Sequence, residues 1–392
     1  MGMKFAATIG LLLMTFLAHA QSLSWCGTKD SPKLNLRDLS SANLRSNDLY
    51  IPVVVHVVLP EDGPEVTNHQ IFTQIDALNE NFGHFQDVHL IPSEFYSAIG
   101  LPRIEFCLAT INPEGEEHEG ITRTTTDIPF IGQHIFSDGR QSVHYELLGG
   151  QDAWAPTEYL NIWVAPFESI AGRSSFPGVG PPQEDGVVID PSFFGKVGHN
   201  NSRFSEGRTL VHEIGHYLNL QHPWVRTGCD DDDDIDDTPI QDSPYFGCVS
   251  PKDAISCGTL DMSQNFMQFG QDPCLLYFSK GQVKMMQSIL GTERSHLIEN
   301  GRLQCTGDRI STSSDIKIIY QAGRNTVSIL GLSPGEEYSV RIFGISGQMQ
   351  SNFRISGRYT TEINTFTFPK GIYIIRVKGA GELVTQKIPV IR

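Results

Sequence analysis

The chain has 392 residues, 39% of them hydrophobic, enough for one large core with a smaller domain beside it. Its 29 basic residues stand against 45 acidic ones, a net charge of −16, and no basic stretch exists that could neutralise phosphates, so nucleic acid is excluded as a partner. Much of the acidic excess is local, and surface carboxylates elsewhere serve solubility.

In chain order, the first signal is for export. Lys4 precedes an almost wholly apolar run over residues 5–17, and Ala18-His19-Ala20 supplies the small-x-small pattern of a signal-peptidase cut before Gln21. The run is too short and wrongly flanked to span a membrane, and no later stretch approaches about twenty apolar residues. A secreted protein without a transmembrane segment is expected. Residues 1–20 read as signal peptide, and residues 21–49, polar and aperiodic, as a pro-segment with an activation cut near Leu44-Arg45-Ser46. Residues 51–59 (IPVVVHVVL) are a β-branched run that predicts a buried strand. Ile71, Ile75, Leu78 and Phe82 have the spacing of an amphipathic helix over 70–82. Further strands are expected over 104–109, 159–165 and 186–189, and helices over 208–220 and 281–290. The stretch 226–274, rich in Asp, Ser, Pro, Gly and Cys, reads as loop. His56 and His84 read as ordinary core or surface histidines.

Beyond about Cys305 the character changes. Short runs at 316–320, 326–330, 338–343, 372–377 and 384–391 follow one another, some separated by turn signals such as Ser333-Pro334-Gly335 and Pro369-Lys370-Gly371. That is the pattern of a small β-sandwich. The expected organisation is an α+β domain over residues 50–305 followed by a small all-β, immunoglobulin-like domain over 311–392.

Export also governs how the seven cysteines are read. Outside the cytoplasm thiols oxidise, so Cys229, Cys248, Cys257 and Cys274 are expected as disulfides rather than metal ligands, in any of three pairings. Cys107, in an apolar strand, reads as a buried free thiol.

The strongest chemical signal is HEIGHYLNLQH over residues 212–222. On a helix His212 and His216 project from one face and can reach one ion, with Glu213 beside them as general base for a water. Ten residues of continuous helix would carry His222 about 15 Å along the axis, so the chain must break and fold back for it to join. Asn219 is where that break is expected, because asparagine is the best non-glycine residue for a left-handed helix end. Three histidines leave one position open for water, the arrangement of catalytic rather than structural zinc.

This segment resembles the extended zinc signature of the metzincins, and its surroundings are similar to the pappalysin family. The resemblance spans roughly residues 50–300 and is carried by IPVVVHVV, IEFCLATINPEG followed by GITRT, YLNIWVAPF, DGVVID, GRTLVHEIGHYLNLQH, DDTP and SQNFMQFGQDPC, in that order. It implies a metzincin-like catalytic domain, with a twisted sheet and zinc helix above a loop-rich lower half. The implied activity is a secreted zinc endopeptidase acting on extracellular proteins or peptides, with Glu213 as catalytic base. It further implies a methionine turn under the zinc, with Met267 as its floor in preference to Met262, and the disulfides Cys229–Cys257 and Cys248–Cys274. Two positions depart from the family pattern: Asn219 replaces a glycine, and Phe269 replaces a tyrosine whose hydroxyl can support the oxyanion. Loss of such a donor can cost about 10²–10³ in rate, so the alternative is a weak or inactive binding or adhesion protein on the same fold.

Three further expectations complete the reading. Asp230 to Asp234 with Asp236 and Asp237 put seven carboxylates in eight residues, a crowd that needs either solvent or a hard cation. The resemblance implies a structural calcium at Asp233, Asp236 (through its carbonyl) and Thr238. Cys26-Gly27 in the pro-segment is similar to latency motifs in which a thiolate takes the fourth zinc position, though a disulfide to Cys107 or Cys305 is equally open. Some relatives cleave before Lys or Arg using an acidic pocket residue, which here would be Asp272. Finally, YSVRIFGISGQM, GIYIIRVKG and TQKIPVIR resemble the sorting domain of the type IX secretion system. That implies a Gram-negative source, engagement of that machinery, and an extracellular or surface-attached product; an immunoglobulin-like accessory module is the alternative.

Overall fold

The computed structural model describes residues 26–28, 49–83, 90–198, 202–224, 228–299, 316–321, 326–330, 332, 336–356, 360–379 and 382–390. The signal peptide, most of the pro-segment including Leu44-Arg45-Ser46, His84 and Cys305 lie outside the described residues.

The β-branched run over 51–59 falls within β1 (Leu49–Leu59), the spine of a six-stranded sheet. Following it are α1 (Asn68–Gly83), β2 (Ile99–Gly100), β3 (Ile104–Leu108), β4 (Ile121–Thr125), β5 (Leu160–Val164), β6 (Gly172–Ser174), β7 (Val187–Ile189) and α2 (Arg208–Tyr217). One edge of β1 pairs in parallel with β3 through its first half and with β4 through its second; the other pairs in parallel with β5. The sheet continues through parallel β7 to antiparallel β6. A strand enclosed in this way is buried on both faces, which is why β1 reads as continuous apolar sequence. Ile51, Val53, Val55 and Val57 join the main core with α1 and α2, while Val54 and Val58 fill two smaller clusters on the opposite face. His56 shares that opposite face. Its Nε2–H donates to Asn161 Oδ1 at 2.9 Å and its Nδ1 accepts from the Thr122 hydroxyl at 2.8 Å. It is a satisfied core histidine.

After α2 regular structure becomes sparse. The pieces are β8 (Phe246–Gly247), β9 (Ile255–Ser256), β10 (Thr259–Leu260), β11 (Phe269–Gly270), β12 (Phe278–Ser279) and α3 (Lys280–Leu290). Such short pieces bury little by themselves, and two disulfides, Cys229–Cys257 and Cys248–Cys274, staple the region. Cys107 is disulfide-bonded too, to a partner outside the described residues, so the expectation of a free thiol is corrected. Its strand lies next to β1 in the sheet; apolar neighbours at that position do not prevent oxidation in an exported protein. α3 starts at a capping box between Ser279 and Gln282, and Asp237 reinforces it by accepting from Ser279 Oγ (2.6 Å) and Gly281 N (2.9 Å).

The C-terminal strands are β13 (Lys317–Gln321), β14 (Thr326–Leu330), β15 (Glu337–Gly344), β16 (Met349–Ser356), β17 (Thr360–Asn364), β18 (Gly371–Gly379) and β19 (Glu382–Val390). They form two antiparallel sheets, β13-β14-β17 and β16-β15-β18-β19, sharing one separate core of which Val327, Ile329, Val340, Ile342, Ile375 and Val377 are fully buried members. The expected α+β class with a β-sandwich tail is the architecture seen.

Candidate metal centre

The site is built around the end of α2. The helix ends at Tyr217, three residues earlier than the apolar pattern predicts, and Asn219 takes a left-handed backbone conformation at φ +72°. The Asn219 N–H then donates to His216 O (2.8 Å) and the Leu220 N–H to Gly215 O (2.9 Å), the paired bonds of a Schellman turn. This reversal brings His222 back beside the helix it has left. The Nε2 atoms of His212 and His222 each lie 3.1 Å from that of His216 and 3.3 Å from one another.

Two of the rings are fixed from behind. His212 Nδ1–H donates to Phe266 O at 2.8 Å, and His216 Nδ1–H donates to Leu220 O at 2.7 Å. Each bond leaves Nε2 as an acceptor facing inward. Burial holds both imidazoles well below their ordinary pKa, hence neutral. Three converging acceptors would repel unless a cation lay among them. Their spacing fits the roughly 3.3 Å separating ligand atoms about 2.0–2.1 Å from a tetrahedral zinc. The donor set therefore fits a zinc ion of open coordination.

Below the triad, Met267 is fully buried and its amide donates to Asn265 Oδ1 at 2.9 Å. A Cβ on Gly215 would come within 2.4 Å of the Met267 sulfur, so the glycine of the motif is what lets this floor approach the helix. Met262 belongs to a separate cluster. Phe269 presents its ring 5.0 Å from His222 and 5.9 Å from His212 (centroid distances).

Residues 26–28 enter this site. Gly27 N donates to Gly172 O at 2.8 Å, adding a short parallel bridge to the free side of β6. Cys26 carries a buried thiol, not a disulfide, with Sγ 3.5 Å from His216 Nε2. Its sulfur and the three imidazole nitrogens all lie within 4.8 Å of one another. Burial, and next the charge of Glu213, push the thiol pKa well up in the absence of a cation. Thr28 Oγ1 donates to Glu213 Oε2 at 2.9 Å and accepts from Ser174 N at 2.8 Å. Glu213 is fully buried, and burial raises its carboxyl to about 7.

Elsewhere, Asp233 is buried, its Oδ1 accepting from Thr238 Oγ1 at 2.6 Å while Oδ2 is buried without a hydrogen-bond partner. Burial lifts this carboxyl to about 7. An orphaned carboxylate oxygen beside a threonine hydroxyl suits a hard cation; Asp236 has an exposed side chain. Asp272 is fully buried, and its Oδ2 accepts from the backbone N–H of Glu206 (2.8 Å) and of Arg208 (3.2 Å) at the start of α2. The carboxylate anchors the start of α2 through this one oxygen, while its Oδ1 is buried without a hydrogen-bond partner.

Sequence reasoning did not give Thr28 or Gly172 a role at the site. Each acquires its meaning from a partner distant in sequence, and no local pattern marks it.

Comparison with known proteins agrees with this geometry. Residues 149–291 match the peptidase M43 family model, described as pregnancy-associated plasma protein-A, and residues 322–391 match the secretion system C-terminal sorting domain. An extracellular metalloprotease of Arthroderma benhamiae is 28% identical over 264 residues, covering 65% of this chain and 76% of that one. Mature mirolysin of Tannerella forsythia, solved in complex with a cleaved peptide, is 36% identical with a TM-score of 0.61, covering 66% of this chain and 99% of that one. A promirolysin mutant from the same organism is 32% identical with a TM-score of 0.62, covering 71% and 99%.

Proposed function

This chain belongs to the pappalysin family of metzincin metallopeptidases, and from that premise we propose that His212, His216 and His222 hold a catalytic zinc ion and that Glu213 is its general base. The protein is a secreted or outer-surface metalloendopeptidase, and a non-catalytic binding role is not favoured. Among the described residues no helix is long and apolar enough to cross a membrane.

The observation that carries the reading is the convergence of three imidazole acceptors, two of them locked from behind, on a point beside a buried carboxylate. Zinc held there supplies Lewis acidity towards the scissile carbonyl and acidifies the attacking water. Glu213 would take the water's proton and deliver it to the leaving nitrogen. A carboxylate held on α2 next to His212 is placed for both transfers. The fixed rings of His212 and His216 hold the cradle to one geometry throughout.

In the form described here the site is closed. We infer that residues 21–49 are a pro-segment, with Cys26 supplying a fourth ligand and Thr28 occupying the carboxylate that must accept the proton. Both contacts must be withdrawn before peptide and water can enter. We further infer a structural calcium at Asp233, Thr238 and the Asp236 carbonyl, supported by the buried orphan oxygen of Asp233. The sorting domain over 311–392 is read as the address for type IX export.

The test is Glu213→Gln in the mature form, with zinc content and cleavage of a denatured protein both measured. We expect one zinc per chain retained and cleavage lowered at least about a thousandfold. Undiminished cleavage would remove Glu213 from the mechanism.

A further inference from the structure

Arg294 lies just beyond α3, is 6% exposed, and reaches two places that meet behind the histidine triad. One is the end of α2. The turn after this helix closes on the Ile214, Gly215 and His216 carbonyls, and the next carbonyl, Tyr217 O, accepts from Arg294 Nε at 2.9 Å. The guanidinium carbon also sits 3.4 Å from the centre of the Tyr217 ring. A cation here satisfies a terminal carbonyl that the helix cannot, and it suits the negative end of the helix dipole. Tyr217 stands between His216 and the turn that returns His222.

The other place is the connection between β6 and β7. Arg294 Nη1 and Nη2 donate to Asp185 Oδ2 and Oδ1 at 2.7 and 2.8 Å, a two-pronged pair. Asp185 Oδ1 accepts in addition from Ser175 Oγ at 2.7 Å, and Ser175 Oγ accepts from Gly186 N at 2.9 Å. With Ser175 N donating to Gly186 O at 3.0 Å, the two ends of the 175–186 loop are held together. Phe176, buried and next in the chain, places its ring 5.5 Å from that of His216 (centroid distance). One guanidinium thus ties the backbone after His216 to the loop packed against its ring.

A buried ion pair by itself says little about function, because removing either partner strands a charge and costs stability wherever the pair lies. What singles this one out is where its arms end. His216 is held from behind by Leu220 O, which belongs to the turn that begins at the capped Tyr217 carbonyl. The ring, its carbonyl anchor and its aromatic neighbour therefore share one support.

We propose that Arg294, paired with Asp185, is a positioning residue for the metal centre, fixing the end of α2 and the 175–186 loop so that His216 and His222 present their Nε2 atoms to one zinc ion. This rests on the zinc reading above. The guanidinium acts through Tyr217 O on one side and through Ser175 and Phe176 on the other.

The test uses the full chain, with zinc affinity measured by chelator competition and ligand geometry by the visible spectrum of the cobalt(II)-substituted protein. Arg294→Met should weaken zinc binding about 10–100-fold, the loss usual when a group supporting a ligand is removed, and should shift the cobalt bands. Arg294→Lys keeps the charge without the fork and should recover only part of the affinity. Asp185→Asn should weaken zinc binding as well. Combined with Arg294→Met it should add nothing, since both act through one bridge. Val54→Ala, a core cut on the opposite face of the sheet, is the control: the thermal midpoint should drop while affinity and bands stay unchanged. Should Arg294→Met not fold, Arg294→Lys and Asp185→Asn decide. Wild-type affinity and bands in these variants, with only the thermal midpoint lowered, would make the pair a plain structural brace and overturn the proposal, as would additive losses. A wild type that binds no zinc would instead refute the metal reading and, with it, the proposal.

Discussion

Phe269 stands where the family pattern has a hydroxyl-bearing ring. Its edge-on contacts to His222 and Trp224 show that the ring keeps its place while the donor is gone. Restoring the hydroxyl with Phe269→Tyr is expected to raise kcat by at least about tenfold with a smaller change in KM, because an oxyanion donor acts on the transition state alone. Steady-state kinetics decide it: a change confined to KM would place the ring in binding and not in chemistry. His56 makes a different kind of prediction. Burial lowers its pKa from 6.5 to about 4, so the neutral ring is favoured by folding. Its contribution is complete above about pH 6.5 and is lost as pH falls towards 4, a total of about 3 kcal/mol. Urea titrations across that interval should show a shallower decline in His56→Gln than in the wild type. Parallel slopes would assign acid sensitivity to other groups. At this scale the proposed metal motif is written openly in the sequence, since HEIGH places two imidazoles and a carboxylate by helical geometry alone. Thr28 is not, because its role exists only where a chain end 185 residues away meets Glu213.

Among the elements, the turn after α2 decides whether the third imidazole, His222, reaches the other two. A left-handed φ of +72° is costly for any residue with a Cβ but tolerable for asparagine. Asn219→Ala should cost about 1–2 kcal/mol and weaken zinc binding, whereas Asn219→Gly should match or exceed the wild type in both. Chelator competition with paired thermal melts would show it; equal zinc affinity in the alanine form would mean that His222 is placed by something other than this turn. The same turn explains an overshoot in reading the sequence. Leu218 and Leu220 continue the apolar spacing of a helix, yet the backbone bonds of Asn219 and Leu220 close a cap instead. Long apolar elements such as β1 and α1 were legible from their periodicity. β4, β6, β16 and β17 were not, since half-polar runs such as ITRTT and MQSNFRIS acquire strand geometry from the neighbour they pair with.

For the molecule as a whole, the two cores are chemically unlike. The sandwich core is dominated by apolar side chains, while the catalytic core contains three imidazoles whose Nε2 atoms face one another. Metal binding then contributes to folding free energy, because the unfolded chain presents no such cradle. A zinc-selective chelator should lower the melting temperature of the catalytic domain by several degrees and leave the sandwich transition in place, with zinc restoring the first. A single transition unmoved by chelation would show that the triad is held by packing alone.

The bridge between Cys26 and Gly172 has a consequence for the edge of the sheet. With residues 26–28 in place, the outer side of β6 is met by a parallel bridge at Cys26, with Gly27 N donating to Gly172 O and Ser174 N to Thr28 Oγ1. An uncovered strand edge is a template for pairing with any extended chain, including a sister molecule. Under the proposed latency, the segment that occupies the metal site would therefore also cover part of that edge. One cut would then both open the metal site and bare that edge.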